Sequence, residues 1–112
     1  MPPDDVIRIR HMIEAAEDAG RFIVGRVRSD LDRDRMLTFA LARAIEIMGE
    51  AASKVSLETR AAAPSVPWRE ITSMRNRLIH AYYDIDCNIL WKTATEEIPA
   101  LRSLLTAIST DG

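Results

Sequence analysis

The chain has 112 residues, with 15 basic and 17 acidic side chains and a formal charge of −2. Its 47% hydrophobic and 29% charged content excludes a disordered tail, and the lack of a basic excess excludes a protein that coats nucleic acid over its whole surface. A monomer of this size buries only about 65% of the surface its unfolded chain exposes, so self-association would add useful burial to one domain spanning residues 1–112.

The opening MPPDDVIRIR carries acids and no apolar run, unlike a signal peptide. Asp4 and Asp5 follow Pro2-Pro3 where a helix start favours negative charge. Val6, Ile9, Ile13, Ala16, Gly20, Ile23 and Val27 then recur at helical spacing, which predicts a first helix over about residues 4–27. The alternating charges from Asp30 to Arg35 read as solvated surface around a helix start. A second helix follows from near Asp32, with the stripe Leu37, Leu41, Ala44, Met48, Ala51, Val55. The small residues Ala40, Ala44, Gly49, Ala51 and Ala52 allow another helix to approach closely. Ser56 is an N-cap candidate for one or two turns before Pro64-Ser65-Val66-Pro67.

Pro67 suits the first turn of a third helix, Trp68 to about His80, with Trp68, Ile71, Met74 and Leu78 inward. Residues 81–86 read as its frayed end, and no segment alternates as a strand does. A fourth helix starts from Asp86 as cap, with Cys87, Trp91, Ala94, Ile98, Leu101, Leu105 and Ile108 on one stripe and an expected kink at Pro99. The lone Cys87 closes no internal disulfide and fits a reducing compartment as a small core residue. Charges interrupt every apolar stretch before the roughly 18 residues of a membrane span, so the expectation is a cytoplasmic protein. The fold class is all-α, an antiparallel bundle of four to five helices.

The chemistry lies between Arg69 and His80, where three arginines face the single acid Glu70. On a helix, Arg75 and His80 would sit about 7.5 Å apart along the axis and about 140° around it. Asn76 would lie one turn before His80 and could orient its ring. An imidazole that titrates near neutrality, beside a permanently charged guanidinium, suits metal-free RNA cleavage. His80 would move the proton of the ribose 2′-hydroxyl or of the leaving 5′-oxygen, and Arg75 would hold the phosphate. One histidine does not easily act as both acid and base, so two copies meeting across a dimer axis offer a natural solution. Glu46 and Glu50, one turn apart, have no third ligand spaced to complete a metal site and suit a helix-face role, with Glu50 contacting the motif arginines. His11 reads as a surface or core histidine.

The blocks Ile45–Ala52, Pro64–Ile71 and Met74–Tyr83, with Ile89-Leu90-Trp91 and Glu97–Leu101, together resemble HepT, the toxin of the HepT/MntA toxin–antitoxin pair within the HEPN superfamily. The resemblance implies a HEPN-like helical homodimer whose R-x4-H-x-Y motifs face a cleft between protomers. Arg75 and His80 are then catalytic, Asn76 and Arg77 support RNA phosphate binding, and no metal or cofactor takes part. It further implies a ribonuclease acting on RNA, partnered by an MntA-like minimal nucleotidyltransferase antitoxin that silences it by transferring AMP to the motif tyrosine, Tyr82. Tyr83 stands where the family often has phenylalanine, and spacing favours Tyr82. The alternative is a non-catalytic partner of the nucleotidyltransferase that uses Arg75 and His80 to hold nucleotide phosphate.

Overall fold

The computed structural model describes residues 1–81 and 84–111. Helix α1 (Pro3–Phe22) has Pro3 at its first position, where a missing N–H costs nothing, and Asp4 and Asp5 in its first turn. It stops at Phe22, short of the expected end near residue 27, because the chain turns through Gly25 at φ +73°. Its buried face is Ile9, Met12, Ala15, Ala16 and Ala19. Val6 and Val27, which spacing placed on the inner stripe, are exposed.

The charged run after α1 is more than solvated surface. In α2 (Asp30–Arg33), Leu31 is buried and Asp30 accepts from the Val27 N–H at 2.8 Å. Asp34 caps α3 (Arg35–Ser53) by accepting from the Leu37 N–H at 3.0 Å, and it pairs with Arg26 at 3.3 Å. On α3 the whole expected stripe from Leu37 to Ala51 is buried, as is Val55 beyond its end. Ser56 caps the short α4 (Leu57–Ala62) as predicted.

That cap is tied to the start of α1. The buried Asp5 carboxylate accepts from the Ser56 N–H at 3.0 Å and from the Ser56 and Thr59 hydroxyls at 2.6 Å each. The first turn of α1 therefore lies against the end of α3, and the two helices run antiparallel. Helix α5 (Trp68–Leu78) also runs antiparallel to α3, with Gly49 against Ile71 and Glu46 against Arg75. A Cβ on Gly49 would lie 3.3 Å from the Ile71 carbonyl oxygen, so the close approach expected from small residues is used here.

The end of α5 departs from expectation. The helix stops at Leu78, and Ile79–Ala81 forms a strand, β1, paired antiparallel with β2 (Asp84–Ile85). The Asp86 N–H donates to the Leu78 carbonyl at 2.7 Å, so the returning chain takes a helix-terminal acceptor that further helix would have used. Ile79 and Ile85 pair and pack on the core, which rewards the reversal with apolar burial.

Asp86 then caps α6 (Cys87–Lys92), accepting from the Asn88 and Ile89 N–H groups at 3.1 and 3.0 Å. The backbone continues through a π-helical turn (Thr93–Glu97) into α7 (Ile98–Asp111). Pro99 lacks an N–H and crowds the carbonyl one turn earlier. The wider turn, in which the Ile98 N–H donates to the Thr93 carbonyl, takes up that conflict in place of a break. Helix α1 packs against both α3 and α7, and α5 covers another face of α3. The result is an all-α bundle around one apolar cluster. No helix of the described residues is long and apolar enough to cross a membrane.

Candidate active site

Arg75 sits in the last turn of α5, where a cation complements the negative end of the helix dipole. Its Nε lies 3.8 Å from Glu46 Oε2 on α3, while Glu46 Oε1 accepts from Arg43 Nη1 at 3.0 Å. One carboxylate thus bridges two guanidinium groups. The acid beside the motif arginine is Glu46. Among the described residues Glu50, expected in that place, reaches only Arg43, at 4.0 Å. The Arg75 side chain is 48% exposed, so an incoming anion can reach it.

His80 lies beyond the helix, exposed on β1. Ile79 pairs with Ile85 and Ala81 with Asp84, so β1 advances two residues while β2 advances one. His80 is the extra residue of a β-bulge, a device that re-aims a side chain beside functional sites. The helical geometry expected between Arg75 and His80 does not hold, because the chain leaves the helix between them. For the same reason Asn76 is not one helical turn below His80; it is exposed on α5, with no side-chain hydrogen bond among the described residues.

Arg77 projects about 200° around α5 from Arg75 and donates to Glu97 of the π-helical turn at 3.2 Å. It lines a groove of about 240 Å³ with Met74 and Leu104, on the side of α5 that faces α7. The structure therefore joins Arg75 to Glu46 and Arg43, and holds Arg77 apart from them. Tyr82 lies outside the described residues. Arg43 was missed in the sequence, where its only signal was a place three residues before Glu46 on an exposed helix face.

Next to the hairpin, α3 exposes Met36 (80%) and Phe39 (46%). Phe39 shares a cavity of about 270 Å³ with Ile85 and Cys87, and Arg35 stacks over its ring at 5.5 Å. An apolar strip thus adjoins the segment that carries His80. Cys87 is half-buried, and burial pushes its thiol above the ordinary range, which suits a packing role. Trp68 is buried and donates to the Ala63 carbonyl at 3.1 Å; it is a core anchor. Among the described residues no group of His, Cys, Asp and Glu gathers to hold a metal ion.

The family described as "Ribonuclease HepT-like" matches residues 12–108 of this chain. "Probable ribonuclease HepT" of Thermococcus cleftensis is 45% identical over 69 residues, which cover 62% of this chain and 63% of the relative. A protein of Methanocaldococcus jannaschii named "Putative RNase" is 35% identical over 81% of this chain and 84% of its own length. A third, also named "Putative RNase", from Caldanaerobacter subterraneus, is 37% identical over 83% of each. No solved structure gives a significant match.

Proposed function

We propose that this chain, which belongs to the HepT-like ribonuclease family, is a metal-independent endoribonuclease that acts as a homodimeric toxin. The observation that carries the reading is that two accessible groups stand near one end of α5: a half-exposed Arg75 in the last helical turn and an exposed His80 on the strand that follows. Arg75 exchanges its loose contact with Glu46 for two hydrogen bonds to an RNA phosphate and stabilises the charge that grows there during reaction.

In the reaction, the ribose 2′-oxygen forms a bond to phosphorus and the bond from phosphorus to the 5′-oxygen breaks. One His80 takes the 2′-hydroxyl proton, and the His80 of the second copy gives a proton to the leaving 5′-oxygen. The products are a 2′,3′-cyclic phosphate and a 5′-hydroxyl. The exposed strip at Met36 and Phe39 supports the dimer, since it is apolar and adjoins the hairpin. Asn76, exposed beside Arg75, adds a donor to the phosphate, and Arg77 joins it only by releasing Glu97 and reaching round the helix.

The partner is an MntA-like nucleotidyltransferase antitoxin that transfers AMP to Tyr82. Tyr82 is two positions from His80, and adenylates there place negative charge where RNA phosphate must bind. The test is cleavage of total cellular RNA in excess EDTA by the wild-type chain and by His80→Ala. Cleavage by the first and not the second supports the reading, and equal inactivity of both refutes it. Intact mass after co-expression with the nucleotidyltransferase should rise by whole adenylate units that map to Tyr82. An unchanged mass would remove the antitoxin mechanism and leave the nuclease.

A further inference from the structure

On the α1 side of α3 a second basic surface continues from the Arg75 pair. A groove of about 200 Å³ is lined by Arg8 and His11 of α1 and by Arg43 and, just past its end, Lys54 of α3, with Ile47 and Ala51 as its apolar floor. The one acid among its lining residues is Glu50, which stands 4.0 Å from Arg43. Among the described residues neither Arg8 nor Lys54 has an acidic partner within ion-pair distance. Arg21 and Arg102, on the opposite side of α1, are neutralised by Asp18 and Glu17. Among the described residues Arg8 and Lys54 thus bring unpaired positive charge to this groove, as Arg10, Arg35, Arg69 and Lys92 do elsewhere on the chain, while Arg43 is shared with Glu46 and Glu50.

Arg43 joins the groove to the candidate active site, because the Glu46 carboxylate that it shares with Arg75 lies between them. The geometry points to this groove as a backbone-tracking site for single-stranded RNA: Arg8, His11, Arg43 and Lys54 bind the phosphates flanking the one held at Arg75. The inference deepens the ribonuclease reading and rests on it for the identity of the ligand. No Phe, Tyr or Trp is among the residues that line the groove, so recognition rests mainly on phosphate charge, with little sequence preference. His11, read from sequence as a plain surface or core histidine, gains a place in that track.

The experiment uses the full chain carrying His80→Ala, so that RNA stays intact, and a fluorescent unstructured 12-nucleotide RNA titrated by anisotropy at several KCl concentrations. Removing two phosphate contacts with Arg8→Gln/Lys54→Gln should lower the slope of log affinity against log salt by about 1.4, since each contact to single-stranded nucleic acid contributes about 0.7. Affinity at low salt should fall at least about tenfold. Arg21→Gln/Arg102→Gln removes the same charge from neutralised cations and should leave the slope unchanged. Equal effects of both double variants, no effect of either, or no RNA binding by the His80→Ala chain would overturn the inference. Lost capture of the nucleotidyltransferase with an unchanged RNA slope would also overturn it and make the groove a protein-docking surface. The two readings separate cleanly. Wild-type cleavage without a slope change removes only the groove, and a slope change without wild-type cleavage removes only the nuclease.

Discussion

Arg75 and Glu46 are an exposed pair at 3.8 Å, worth no more than about 1 kcal/mol, so a doubly hydrogen-bonded phosphodiester displaces the carboxylate at little cost. Arg75→Lys keeps the charge and loses the planar fork, and it should reduce RNA cleavage by about 100-fold while circular dichroism stays native. Asp5 is the residue whose loss should be felt in stability. The Ser56 hydroxyl, then the Thr59 hydroxyl, hold its carboxyl below the ordinary value of 3.8. The stabilisation is thus fully present above that value and is lost as pH falls through the lower folded pKa. Asp5→Ala strands the Ser56 and Thr59 donors and should cost about 1–3 kcal/mol at neutral pH. Thermal melts should show that cost, together with a flatter acid limb. Sequence spacing read Asp5 only as a helix-start acid. Its partners lie more than fifty positions away, on the cap of another helix, and no local rule reaches that far.

The helices were legible from the stripe Leu37 to Val55 and from the caps Ser56 and Asp86, while the cap Asp34 was hidden in a charged run that reads as solvated surface. The hairpin was not. Three residues against two are too few to alternate, and the signal for ending α5 at Leu78 is the Asp86 N–H on its carbonyl, a contact made only after the chain has turned back. That same turn creates the bulge at His80. The geometry drawn between Arg75 and His80 on a continuous helix was therefore not readable from their spacing. Gly49 tests the packing that positions α5. Alanine already meets the Ile71 carbonyl at 3.3 Å, so the branched side chain of Gly49→Val should push α5 from α3 and cost about 1–3 kcal/mol. Cleavage should fall more than stability, because Arg75 and Glu46 belong to the two helices being separated. Unchanged melting and unchanged cleavage would show that the contact is slack.

For the whole molecule, the proposed homodimer would cover the exposed Met36 and Phe39, which lie beside the hairpin, and add to the burial of a small core. Phe39→Glu places a charge on that strip and should yield a monomer by light scattering that keeps native helicity and cleaves RNA at least about tenfold more slowly. A dimer of unchanged mass would move the interface elsewhere. The most direct measurement is the end chemistry of an RNA cut by the purified chain in excess EDTA. The account predicts 2′,3′-cyclic phosphate and 5′-hydroxyl ends from the wild-type chain, and none from His80→Gln of the same mass and helicity. Ends of the same kind and yield from His80→Gln, or intact RNA after incubation with the wild-type chain, would contradict it.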